Sequence, residues 1–269
     1  MIKKNKMISL NKITSKGKAL YLAYDQGLEH GPEMDFNDIN IDPLYILNIA
    51  KKGGYNGVVF QKGIAEKYHK EIKKSKIPLI LKLNGRTKLV SGEPISAQLA
   101  SVEDAMKLGA KAVGFTIYIG SEHEEQMLEE FSKIQREAHK HNLPVITWIY
   151  PRGKKIKNDV SRENLAYSAR TALEIGADIA KIKYGGKKND LKWAVESAGR
   201  TKVVIAGGVK KGEKEFLKDV HDIMDSGAIG LAVGRNVWQA KDPLGLTKKI
   251  KKIIWKRMNK RFFNNKFQN

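Results

Sequence analysis

Two lysines interrupt the apolar run "ADIAKIKYGG", residues 177–186. A strand sends successive side chains to opposite faces, so Lys181 and Lys183 share one face, with Ala180 and Ile182 on the other. A lysine enters an apolar interior only when it is paired or used. Burial disfavours its charge and lowers its pKa, and a second cation on the same face, Lys183, lowers it further. The neutral amine that results is a nucleophile toward a carbonyl carbon, the first step of Schiff-base chemistry. The competing reading is a side chain that snorkels to water from the end of a short strand. Two lysines on one face of an otherwise apolar strand weigh against it, but periodicity treats 181 and 183 alike.

Further reactive residues sit where apolar runs end. Asp25 closes "KALYLAYD" and opens a Gly turn. Asp is a common turn residue, yet a carboxylate facing Lys181 could steer its protonation and hold substrate hydroxyls. Tyr150 shares a face with Trp148 in "PVITWIY", and its phenol could move protons at an iminium intermediate; otherwise it is a rim aromatic. Gly207-Gly208 and Gly234-Arg235 end two more runs. Glycine lets backbone N–H groups approach an anion closely, and "GRNVWQA" opens a short helix, so the two pairs read as a phosphate cradle. His30 lies at the rim of the same site, and Lys82 and Asn84 end another apolar run.

The elements that would position these residues repeat. A helical stretch ends in Gly and an apolar, β-branched run follows at once, as in "KKGGYNGVVFQ", "KLGAKAVGFTIY", "EIGADIAKIKY" and "DSGAIGLAVGR". Gly after a helix fits a left-handed cap, and the immediate strand fits a short connection. Eight strands are predicted, beginning near residues 18, 57, 78, 111, 144, 178, 202 and 228. Amphipathic helices alternate with them, notably around 161–176 and 213–226, and after Ser121 and Glu124, whose spacing predicts a capping box. Eight β/α units in one chain predict a single-domain (β/α)8 TIM barrel over residues 18–247, with the site at the carboxyl ends of the strands. The first strand lacks the Gly-rich dinucleotide turn of an open doubly wound sheet.

Composition narrows the function classes. The chain has 269 residues and no Cys, which excludes disulfides, Cys-ligated zinc and thiol catalysis. The net charge of +21 is largely terminal. Residues 1–18 hold six Lys and no acid, and residues 248–269 hold nine Lys or Arg and no acid, leaving 35 cations against 29 acids between them. A basic segment 1–17 and a basic helix or tail 248–269 therefore flank the barrel. No groove-reading motif accompanies the charge, which argues against specific nucleic-acid binding. No run approaches a membrane span and the basic N-terminus lacks a signal-like apolar stretch, so a cytoplasmic protein is expected. No metal site is expected: His139 and His141 lie at a helix end, His69, His123 and His221 fall in charged helical surroundings, and His30 stands alone.

With these residues in hand, the sequence resembles the archaeal-type class I fructose-bisphosphate aldolases, within the DhnA/DeoC-like group. "AYDQGLEHGP", "WIYPRG", "GADIAKIKY", "AGGVK" and "GLAVGRNVWQ" carry the resemblance, which spans about residues 8 to 245. It implies that Lys181, by the pattern AD-x-x-K-x-x-Y, is the Schiff-base lysine and Tyr150 the acid/base, and that Asp25 assists Lys181 and the substrate hydroxyls. It also implies that Gln26, Gly27, Leu28, Glu29, His30 and Trp148 line the substrate pocket. Pro151 and Arg152, with Gly207, Gly208, Gly234 and Arg235, would hold the phosphorylated sugar. A homo-oligomer with no cofactor is expected.

The expected reaction is reversible cleavage of fructose 1,6-bisphosphate to glyceraldehyde 3-phosphate and dihydroxyacetone phosphate. A sibling aldolase or transaldolase, making the 2-amino-3,7-dideoxy-D-threo-hept-6-ulosonate precursor of aromatic amino acids, would use the same lysine and tyrosine. A non-enzymatic barrel acting through its basic tails would need neither. An iminium serves as the electron sink in the first two schemes, so EDTA should leave the cleavage rate unchanged in a coupled assay.

Overall fold

The computed structural model describes residues 8–256. Eight parallel strands close into a barrel: β1 (Ala19–Ala23), β2 (Gly57–Gln61), β3 (Leu79–Lys82), β4 (Ala112–Ile119), β5 (Val145–Pro151), β6 (Ile179–Ile182), β7 (Lys202–Ala206) and β8 (Gly230–Val233). Each pairs with its sequence neighbours and β8 returns to β1, so the expected TIM barrel is what the chain forms. Alternation along each strand makes two cores. Tyr21, Val59, Ile80, Ile146, Ile179 and Val204 fill the barrel interior, and Ile13 from the segment before β1 plugs its amino end. The outward residues, such as Leu22, Phe60, Phe115 and Ile205, meet the surrounding helices.

The helices bury the stripes that their spacing predicts. Glu124–Lys140 turns Met127, Phe131, Ile134 and Ala138 inward, and Glu213–Asp225 does the same with Phe216, Val220 and Ile223. Each such large side chain removed from water contributes about 1.5–3 kcal/mol. At the amino face, Gly54, Gly109, Gly176 and Gly227 adopt the left-handed conformation that ends a helix before the next strand. The carboxyl face carries the longer connections, including 24–42 with two short helices and 83–101 with a two-residue hairpin.

Two expectations are corrected. Ser121 and Glu124 do not form a capping box. The Ser121 hydroxyl donates to the carbonyl of Pro94 and accepts from His123, while the Glu124 carboxylate takes the Gly120 N–H. Ser121 is thus spent on tying the β4 end to the loop before it; the reciprocal box occurs instead at Ser101 and Asp104. The boundary at 247/248 falls inside a helix, Pro243–Ile254, whose Leu246, Ile250 and Ile254 pack on the barrel. Its cations work structurally. Lys251 donates to the carbonyls of Gly53 and Gly54, the end of helix Pro43–Gly53, where a cation also meets the negative end of the helix dipole. The rest of the expected basic ends, 1–7 and 257–269, lies outside the described residues.

Closure depends on Gly230. It sits opposite Ala19 at φ +153, and a Cβ there would meet the Ala19 carbonyl oxygen at 1.7 Å. Gly230→Ala should therefore part β8 from β1 and lower stability by about 3 kcal/mol or more, read as a drop in the urea midpoint.

Candidate active site

A cleft of about 510 Å³ opens at the carboxyl ends of the strands. Lys181 is at its floor. The side chain is inward on β6, opposite Trp148 of β5 in the strand register, and is 6% exposed. Its Nζ lies 4.6 Å from the Trp148 ring centroid, within cation–π distance, and burial lowers its pKa against the opposing pull of Asp25 and Glu29. Trp148 can lean over the floor because the neighbouring strand has Gly114, where a Cβ would come within 2.3 Å of the indole.

Lys183 shares the face, as alternation requires, and lines the same cleft. It is not the second cation that acts on Lys181, because its Nζ is paired with Asp159 of the β5–β6 connection. The amine coupled to Lys181 is Lys82, inward on β3, whose nitrogen is 5.6 Å from the same Trp148 ring. Lys82 is 1% exposed and sealed beneath the cleft, so it is not placed to meet a phosphate.

Tyr150 enters the cleft one turn of the pleat above Trp148. Burial raises its phenol well above the usual value, Asp25 and Glu29 raise it further, and Arg152 opposes them. Arg152 lies 5.0 Å from the Tyr118 ring and 5.8 Å from the Tyr150 ring, while the Tyr118 hydroxyl donates to Glu29 at 3.3 Å. Asp25, Gln26, Glu29 and His30 line the β1 side. Their loop is held down by aromatic packing: Tyr24 stacks on Phe36 at 5.1 Å, meets Trp238 edge-on, and donates to the carbonyls of Asn40 and Ile41.

Across the mouth, Gly207, Gly208, Gly234 and Arg235 converge from β7 and β8. Asn236 clasps this corner, donating to the carbonyls of Gly207 and Val209 and accepting from the Lys211 N–H. Buried Asp35 accepts from Arg235 at 3.0 Å and also contacts His30, so the first and last strand ends share one ionic link. Arg235 reaches the Gly208 carbonyl as well, at 3.2 Å.

Three expected residues fall elsewhere. Gly27 and Leu28 line an adjoining apolar groove of about 860 Å³, because the one-turn helix Gly27–His30 sends Glu29 and His30 one way and Leu28 the other. Pro151 follows Tyr150 on β5 and so points out of the barrel, where it is buried. Conversely, Lys88, Lys211 and Tyr184 line the cleft. They lie in connections with no periodic pattern; the nearness of Lys211 to the Gly207-Gly208 pair and the place of Tyr184 in the AD-x-x-K-x-x-Y pattern are the hints to their positions.

This constellation is a buried amine, a phenol and a carboxylate below a corner of glycine turns and Arg235. A family model described as DeoC/LacD family aldolase matches residues 19–240. The chain belongs to that aldolase family. It is 50% identical over 243 residues to the fructose-bisphosphate aldolase class 1 of Thermoproteus tenax, covering 89% of this chain and 90% of the relative. It is 40% identical over 238 residues to the fructose-bisphosphate aldolase/6-deoxy-5-ketofructose 1-phosphate synthase of Methanocaldococcus jannaschii, covering 83% and 76%. An archaeal fructose-1,6-bisphosphate aldolase solved with its catalytic lysine bound to the substrate's carbinolamine matches at TM-score 0.86 and 49% identity, covering 91% of this chain and 97% of that one.

For an aldolase of this family, the indole that walls the amine must stay in register. Gly114→Ala would push Trp148 off its seat beside Lys181. A displacement of about 1 Å next to reacting atoms costs about 10²-fold, so kcat/KM for aldol cleavage should fall by that order while circular dichroism stays unchanged.

Proposed function

We propose that the protein is a class I fructose-bisphosphate aldolase that works through a Schiff base on Lys181. The observation that carries the proposal is a buried lysine with a lowered pKa, at the floor of a cleft whose rim combines glycine turns with Arg235. The 50% identity to a fructose-bisphosphate aldolase across nine-tenths of both chains supports this branch over a sibling aldolase.

The neutral Lys181 amine adds to the ketone carbon of open-chain fructose 1,6-bisphosphate, and loss of water from the carbinolamine leaves a protonated imine. That iminium withdraws electrons from the neighbouring carbon–carbon bond. Tyr150 takes the proton of the adjacent hydroxyl as the bond breaks, and glyceraldehyde 3-phosphate leaves. A phenol raised by burial is a poor base alone, but the positive iminium beside it favours its ionised form during this step. Tyr150 returns the proton to the enamine, and hydrolysis releases dihydroxyacetone phosphate and the free amine. Asp25 orders the substrate hydroxyls and the water that enters and leaves.

One phosphate rests against Gly207, Gly208, Gly234 and Arg235. Among the described residues, the backbone N–H groups of Gly208, Gly234 and Arg235 donate to no protein acceptor, which leaves them available to an anion. Arg152 and Lys88, on the opposite side of the mouth, suit the other phosphate. We further propose a cytoplasmic homo-oligomer. No helix among the described residues is long and apolar enough to cross a membrane, and Ile39, Ile41, Leu44 and Leu99 leave an apolar face open to a second subunit.

Borohydride with dihydroxyacetone phosphate should add the reduced substrate to Lys181, located by peptide mass spectrometry; Lys181→Met should give no adduct and no cleavage, and a fully active variant would refute the scheme. Tyr150→Phe should still trap the adduct but cleave about 10²–10⁴-fold more slowly.

A further inference from the structure

Beneath the cleft lies a second amine for which the proposed chemistry has no direct use. Lys82 is 1% exposed, and its Nζ donates to the Asn84 carbonyl at 2.7 Å and to the Asn84 side-chain oxygen at 2.9 Å. Asn84 is itself fully engaged, since its amide donates to the carbonyls of Ser96 and Thr116 and its side-chain oxygen accepts the Thr116 N–H. Among the described residues Lys82 forms no ion pair. A buried ammonium without a counter-ion is costly, and a neutral glutamine could make the same two donations. The charge itself therefore needs a reason.

The reason is the neighbour beside the same indole. Lys82 stands opposite Gly114 in the β3–β4 register, and Lys181 stands opposite Trp148 in the β5–β6 register. Because Gly114 has no Cβ, the Trp148 ring reaches over β4, and both amines lie close to it, Lys181 at 4.6 Å and Lys82 at 5.6 Å from its centroid. Their nitrogens are thus at most about 10 Å apart. We infer that Lys82 is a positioning residue whose sealed charge acts on Lys181 beside this shared indole and keeps the nucleophile in its uncharged form. The inference rests on Lys181 being the Schiff-base lysine.

Burial pushes the Lys82 ammonium down to about 8; Glu29 and Asp25 pull it up again, and a charge on Lys181 pushes it lower. Coupling between two titrating groups is mutual, so the charge on Lys82 disfavours the charge on Lys181 equally. Of the two, Lys82 has two oxygen acceptors for its charged form, whereas the Lys181 nitrogen hydrogen-bonds to no protein atom among the described residues. These two acceptors favour the proton on Lys82. The other charged or titratable groups around the pair are Asp25 and Glu29 from the β1 side, Tyr21 on β1, Tyr118 on β4, Tyr150 and Arg152 on β5, and Lys183, which Asp159 holds. The carboxylates favour a charged Lys181, and Lys82 offsets them. A unit charge about 10 Å away in an effective dielectric of about 20 moves a pKa by about one unit.

Lys82→Met removes the charge, and Lys82→Gln removes it while keeping a donor to Asn84. In both, the acid limb of kcat/KM for fructose 1,6-bisphosphate should move up by about one pH unit, with about a tenfold loss on that limb and recovery on the alkaline plateau. A uniform loss at every pH with the limb unmoved would mean that Lys82 only pins its loop, and would overturn the inference. Carbon-13 NMR titration of the lysines reads the coupling directly: the Lys181 midpoint should lie below that of Lys82 and rise by about one unit in Lys82→Met, and an unmoved Lys181 midpoint overturns it. The borohydride adduct separates the two readings. An adduct off Lys181 overturns both, whereas an adduct on Lys181 with an unmoved limb overturns only the role of Lys82.

Discussion

The molecule is organised around the burial of an amine. A closed ring of strands offers an interior from which water is excluded, and an ammonium placed there loses its hydration without a compensating carboxylate in contact. Every neighbour of Lys181 bears on that balance. Trp148 walls the nitrogen, Gly114 makes room for Trp148, and Asp25 and Glu29 supply negative charge from the β1 side. The cleft is polar at its rim and closed at its floor, the order that a reaction needs when its nucleophile must be dry and its substrate doubly charged.

Much of this is legible in the chain itself. Strand alternation put Lys181 and Lys183 on one face, and helix–Gly–strand punctuation at four strands, with apolar runs at the other four, placed all eight barrel strands within a residue or two. The Gly pairs also lie where the apolar runs end, at the carboxyl ends of β7 and β8 beside the cleft, because a glycine closing an apolar strand marks a turn. Gly27, Leu28 and Pro151 did not read correctly. A contiguous motif such as "DQGLEHGP" suggests that every residue in it faces the substrate, but a one-turn helix and a strand each turn alternate side chains away.

The less legible part is what depends on contacts between distant segments. Nothing in the local sequence says that Asp159 would claim Lys183, leaving Lys82 from β3 as the cation coupled to Lys181. Nor does spacing reveal Asp35, a buried carboxylate in a one-turn helix that finds Arg235 two hundred residues later. The basic C-terminal segment shows the opposite error. Read by charge it is a helix or tail flanking the barrel, yet its described part belongs to a helix of the barrel wall, in which Lys251 caps a neighbouring helix.

The ionic link between Asp35 and Arg235 has a temporal consequence. The carboxylate is made two hundred residues before the guanidinium, and β1 finds its second neighbour only when β8 emerges. A nascent chain on the ribosome holds the amine and the phenol long before any ring encloses them. Until β8 docks on β1, Lys181 has no closed wall around it, and the dry floor of the cleft forms only with that closure.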